Sequence, residues 1–222
     1  MPITLQRFHR NPTAQRNFSK LAGPNKLLLV FSDFVLLSNG SDVAYRWNDM
    51  KVDRAISCAQ ASQDSFRQAM RYLASGVSIL AAGGPGDRAA ITATSVTSLS
   101  VEPPTLLICI SRNSSLAPIL QRHGHFSANF LSASQQHLAE RFAGRGGVNG
   151  GERFDAGDWI SLVSGAPVLA NALASIDCDV EEIIDRHTHS IVIGRVLAVR
   201  TEGGDEALAH WHGAFSAVGN GS

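Results

Sequence analysis

The sequence predicts a mainly β fold, an antiparallel barrel with a few short helices at its edges. Three observations carry this. Apolar and β-branched segments of strand length recur at even spacing between Gly, Pro, Asp and Ser turn signals. Helical periodicity is confined to short stretches, so strands do not alternate with crossover helices as a doubly wound sheet requires. The G-x-G-x-x-A match at Gly84–Ala89 runs into strand-like sequence, where a dinucleotide fingerprint needs a helix facing a pyrophosphate. It reads as a hairpin. Neither a Walker A sequence nor an internal repeat is present.

Taken in order, Asp64 is placed to cap a helix through Ala74, with Phe66, Ala69, Met70 and Leu73 on one face, and Gly76 to end it. Val77–Ala82 and Arg88–Thr94 form a hairpin around Gly83-Gly84-Pro85-Gly86-Asp87. Pro103-Pro104 closes the next stretch, because a Pro pair cannot donate to a ladder and favours extended chain. Thr105–Ser111 reads as a continuous buried strand, Ser114–His123 as a helix and His125–Leu131 as a strand. Gln135–Phe142 is a helix ended by Gly144, and Gly144–Gly151 a mobile, glycine-rich loop. Two long strands, Ala172–Ile184 and Ser190–Thr201, flank a turn at Asp185–His189, and a short element ends near Val218.

Composition sets bounds on the rest. The 222 residues are 44% apolar, enough for one good core and an appendage. Nineteen Lys and Arg balance nineteen Asp and Glu, leaving no electrostatic case for nucleic acid or an anionic membrane. The two parts of the chain differ: through Gln63 there are eight basic and four acidic residues, whereas the rest has eleven basic, all Arg, against fifteen acidic. Residues 1–62 are therefore set apart as an N-terminal extension, poorly structured or an over-long gene model with a plausible start at Met50, from a domain at 63–222. The apolar run from Leu27 to Leu37 is broken by Ser32-Asp33, too short for a membrane span and without an A-x-A cleavage site. Cys58, Cys109 and Cys178 are odd in number and lack a C-x-x-C, so buried thiols in a reducing cytoplasm are expected.

Ala90–Pro104 is the densest source of chemistry. Thr92, Thr94, Ser95, Thr97 and Ser98 crowd five hydroxyls into seven residues between the apolar runs GVSILAA and TLLICI. An unpaired buried hydroxyl costs about 1–3 kcal/mol, so the row must face solvent, bond backbone or hold a polar ligand. A second polar cluster, Ser111-Arg112-Asn113-Ser114-Ser115, ends the following strand and opens a helix, where free N–H groups and the helix dipole favour an anion. A plain helix cap at Ser114-Ser115 is the competing reading.

These stretches, with Ser65–Val77 before and Thr105–Ser115 within, resemble the flavin reductase-like family of FMN-binding split β-barrels, over about Asp64 to Val218. Phe126–Leu131 is similar to the family's F-x-V-N-x-L strand, with Ala128 in place of Val; Gln135, Leu138 and Phe142 match its next helix, and Arg153-Phe154 the loop that covers the cofactor. HSIVIGRV resembles the H-x-I-x-I-G-x-V strand, whose histidine sits beside nicotinamide; the preceding residues are His187-Thr188 where relatives often have Gly-Asp. The resemblance implies a Greek-key split barrel of about six strands, a homodimer, and transfer of hydride from NADH or NADPH to FMN or FAD for a partner oxygenase. It also implies flavin contacts at Thr92, Ala93, Thr94, Ser95, Thr97, Ser98, Ser111, Ser114 and Ser115, a cover at Phe154, and His189 at the nicotinamide.

Two other readings stand beside it. One is a flavin or haem carrier without turnover on the same barrel. The other is a metal-dependent enzyme using the H-x-H pairs His123/His125, His187/His189 and His210/His212, because strand residues i and i+2 share a face. Glu181, Glu182 and Asp185 lie near the second pair, and Asp177, Asp179, Glu181 and Glu182 read as solvated because successive strand residues point to opposite faces. No G-x-S-x-G elbow supports a serine hydrolase.

Overall fold

The structure, a computed structural model, describes residues 61–148, 150–204 and 206–219, together with the backbone of four strands between residues 21 and 46. Met1–Ala61 and Ser62–Ser222 are separate units. In the first, β1 (Leu21–Gly23), β2 (Lys26–Phe31), β3 (Phe34–Ser38) and β4 (Asp42–Arg46) pair in order as an antiparallel meander. Phe31 lies opposite Phe34, so the polar break in the apolar run separates two paired strands. Met50 and Cys58 lie outside the described residues.

The second unit opens with α1 (Gln63–Met70). Its N-cap is Ser62 rather than Asp64: Ser65 N–H donates to Ser62 Oγ at 3.1 Å, and Ser62 N–H donates to Ser65 Oγ at 2.9 Å. That reciprocal pair satisfies two helix-end donors, leaving Asp64 free to pair with Arg67 one turn on. The apolar face exists but is not buried among the described residues of this unit.

The barrel is one seven-stranded sheet, one strand more than expected. After β5 (Ser75–Gly76), β6 (Ser78–Gly84) and β7 (Asp87–Ala93) make the first hairpin, with Pro85-Gly86 as its loop and Gly86 at φ +86°. Pro presets the first turn position and Gly accepts the left-handed second. The additional strand is β8 (Val96–Val101), inside the hydroxyl-rich stretch, and it pairs with β9 (Pro104–Ser111). Then come α2 (Leu116–His123), β10 (His125–Phe130), α3 (Gln136–Phe142), β11 (Trp159–Ser161), β12 (Pro167–Leu169), β13 (Ala174–Arg186) and β14 (His189–Thr201). The strand order β7-β6-β10-β13-β14-β9-β8 is antiparallel throughout. A final hairpin, β15 (Glu206–Trp211) and β16 (Ala214–Gly219), forms a small sheet with β5.

Two apolar clusters fill the unit. The barrel interior joins Leu80, Ile108, Phe126, Cys178 and Val192 to Leu116 and Leu120 of α2. Gly194 belongs here because a Cβ at that position would lie 2.6 Å from the ring of fully buried Phe126. The second cluster packs α3 against Ile79 and Leu131 and closes with the edge-on rings of Phe142, Phe154 and Trp159.

Three sequence expectations change with packing. β9 is covered on one face only: Leu106, Ile108 and Ile110 are buried, whereas Leu107 and Cys109 are half-exposed. Asp177 is not solvated; its carboxylate is buried and accepts from Ser164 N–H at 2.8 Å and from the Ser164 hydroxyl. Beside it, burial pushes the Cys178 thiol up to about 12, with Asp177 and Asp179 adding to the shift. The glycine-rich loop is clamped: Arg141 Nε donates to Arg153 O at 3.0 Å, and Arg153 Nε to Val148 O at 2.8 Å.

Candidate functional site

The hydroxyl row divides by what each group already bonds. Thr92 Oγ1 donates to Ala139 O at 2.6 Å, tying β7 to α3. Ser95 is fixed twice to one residue, because its Oγ donates to Cys109 O at 2.6 Å and its carbonyl accepts from Cys109 N–H at 3.1 Å. Ala93 ends β7, paired with Ser78 and half-buried. Thr94, Thr97 and Ser98 are exposed, and their hydroxyls have no protein partner among the described residues. These three are therefore the ones free to bond a ligand.

The Ser95–Cys109 contact brings this row to the end of β9, two residues before the second polar cluster. There Asn113 N–H donates to Ser111 Oγ and Ala117 N–H to Ser114 Oγ, each at 3.3 Å. Ser114 therefore serves as a cap. The Ser115 hydroxyl makes no capping bond, and the N–H groups of Ser115 and Leu116 remain unpaired among the described residues. Those donors at a helix start suit a phosphate oxygen.

His189 stands in the same place. It opens β14 directly opposite Ser111, exposed, with its Nδ1 2.9 Å from Thr188 Oγ1. Arg112 joins the two segments: its N–H donates to Thr188 O at 3.0 Å and its Nη1 to His187 O at 3.4 Å. Between the start of α2 and this turn opens a groove of about 540 Å³, lined by Arg112, Asn113, Ser114, Gln121, His187 and Thr188. The sequence places Arg112 in the second polar cluster without a specific role; its reach to the His187-Thr188 turn comes from the fold.

Phe154 is elsewhere. It is buried in the second cluster with the Arg88 guanidinium 4.2 Å above its ring, so it packs a core instead of covering this groove. The histidine pairs also lose their strand geometry. His187 (φ +52°) and His212 (φ +53°) occupy left-handed turn positions, so neither pair shares a strand face. His123 Nε2 is engaged by Asp87 Oδ2 at 2.8 Å, and among the described residues no three His, Cys, Asp or Glu side chains cluster to hold a metal. No helix among them is long and apolar enough to cross a membrane.

An antiparallel barrel with unpaired hydroxyls along β8 and unpaired donors at the start of α2, beside an arginine and a histidine, is of the class of β-barrel proteins whose donor groups suit a phosphate-bearing ligand. The chain belongs to the flavin reductase like domain family, whose sequence model matches residues 70–219. It is 47% identical over 152 residues to an FMN reductase (NADH), RutF 2, of Methylorubrum extorquens strain PA1, covering 67% of this chain and 86% of the relative. The styrene monooxygenase flavin reductase SMOB of Pseudomonas putida S12 superposes with a TM-score of 0.62 at 26% identity, covering 71% of this chain and 99% of that one. BorF, the flavin reductase component of a bacterial two-component tryptophan halogenase, superposes at 0.66 with 31% identity, covering 72% and 99%.

Proposed function

We propose that this chain is an NADH-dependent flavin reductase that takes FMN and supplies reduced flavin to a partner oxygenase. One arrangement carries the reading: the free hydroxyls of Thr94, Thr97 and Ser98 are linked through Ser95 and β9 to the unpaired donors at Ser115 and Leu116, with His189 alongside. A flavin mononucleotide fits that donor set, which offers hydroxyls for the polar chain and ring edge and N–H groups for the phosphate. Flavin, when bound, supplies the redox chemistry by accepting hydride from NADH. The protein's share is position. Ser115 and the start of α2 hold the phosphate, the exposed hydroxyls orient the ring, and His189 holds the nicotinamide for stacking at about 3–3.5 Å.

A homodimer is part of this proposal, supported by the apolar face of α1, which is uncovered among the described residues: Phe66 is 63% and Met70 44% exposed. A cytoplasmic location is supported by the unpaired thiols of Cys109 and Cys178. The test is NADH oxidation by the purified full chain with and without FMN. Flavin-dependent loss of NADH is expected; FMN binding without NADH loss would leave a carrier. Replacing Thr94 and Thr97 by Val should raise the FMN Kd about tenfold or more, since each lost bond is worth about 1 kcal/mol, with little change in Tm. Equal FMN affinity in the double variant would sink the site assignment. Ser95 is a poor choice for that test, because its hydroxyl already holds β9.

A further inference from the structure

We propose that Thr188 is a positioning residue for His189, its hydroxyl keeping the proton of the neutral ring on Nε2 so that a neutral N–H donor faces the bound nicotinamide nucleotide. This rests on the flavin reductase reading above. Thr188 Oγ1 lies 2.9 Å from His189 Nδ1 and bonds no other group among the described residues. A neutral imidazole carries one donor and one acceptor, and a carboxylate can only accept. An Asp at 188 would therefore draw the proton onto Nδ1. A hydroxyl can donate, and the imine nitrogen is a better acceptor than the hydroxyl oxygen. With Nδ1 so occupied, Nε2–H is the group left for a carboxamide or phosphate oxygen.

The turn that carries Thr188 is built to stay in place. Arg112 takes up both turn carbonyls, at 3.0 Å for Thr188 and 3.4 Å for His187. Its Nε faces Asp185 Oδ2 at 3.7 Å, and Asp185 Oδ1 accepts from buried Ser190 Oγ at 2.6 Å. These bonds hold His187 at φ +52°, a conformation that a non-glycine residue rarely takes.

The test combines a tautomer measurement with kinetics on the full chain. Long-range ¹⁵N–¹H correlation spectra of the histidine rings near neutral pH, assigned through His189→Ala, should show His189 protonated on Nε2 in the parent and in Thr188→Ser. Thr188→Asp should move the proton to Nδ1. Thr188→Val should raise KM for NADH about fivefold, the effect of one lost hydrogen bond, with kcat changed less than twofold, and Thr188→Ser should restore it. In a His189→Ala background Thr188→Val should add nothing, because Thr188 acts through that ring. Protonation on Nδ1 in the parent, or an unchanged KM in Thr188→Val, would overturn the proposal. An unchanged KM in His189→Ala despite the Nε2–H tautomer would overturn both the placement of nicotinamide at His189 and the role given to Thr188.

Discussion

Gly194 shows how one position can be fixed by its neighbour alone. Its backbone is ordinary strand, so conformational freedom is not the reason for glycine; the Phe126 ring occupies the space a side chain would need. Gly194→Ala places a methyl 2.6 Å from two ring carbons and 3.1 Å from Cys178 Cβ. Overpacking of this kind costs about 1–3 kcal/mol, or roughly 3–10 °C in Tm for a chain of this size. A melt at the parent temperature would mean that Phe126 can move, and that the barrel interior is looser than its full burial implies. Ser95 and Thr92 follow the same logic at the site. Each looked like a ligand group in the sequence, and each is already bonded to a carbonyl of another element.

Among the elements, α2 does two jobs. Its apolar side plugs the barrel with Leu116, Ile119 and Leu120, which leaves its first turn at the rim with donors to spare. Its last turn is anchored by Arg122 and His123 to Asp87 on the first hairpin, at 2.8 Å each. Those two contacts, Arg122 first, hold the Asp87 carboxyl below its ordinary value of 3.8. A carboxyl lowered by folding stabilises the fold above its unfolded value, and that contribution fades as pH falls through the folded one. The parent should therefore lose Tm more steeply than Asp87→Asn between about pH 5 and about pH 3. Parallel Tm curves for the two proteins would show that the anchor carries no net weight. α1 presents the opposite case, a well-capped helix whose apolar face no part of the described second unit covers.

At the scale of the molecule, Asn129 connects parts that no single element joins. Fully buried on β10, it donates to Ile79 O and Ser127 Oγ and accepts from Leu169 N–H and Ser175 Oγ. The β11–β12 hairpin is thereby tied to the barrel at the second apolar cluster. Asn129→Leu strands Leu169 N–H and Ile79 O without a side-chain partner, at about 1–3 kcal/mol for each group left unpaired. Faster hydrogen exchange at the Leu169 amide, together with a lowered Tm, is the expected result. Unchanged exchange there would show that the hairpin holds itself.

By itself the sequence determined the strand periodicity, the Pro-Gly hairpin, the helices after Ser115 and Gln135, and the family, because alternation, turn chemistry and capping act between residues close in the chain. It also marked both polar clusters and His189. Tertiary structure alone decided which hydroxyls are free, because Ala139 and Cys109 lie 47 and 14 residues from the groups they engage. It likewise decided that Phe154 is core, that Asp177 is buried, and that Arg112 joins the two halves of the site across 76 residues of chain to Thr188. Competition for a hydrogen-bond partner or a packing void is settled by whatever the fold brings nearest, and residue type and spacing carry no record of it.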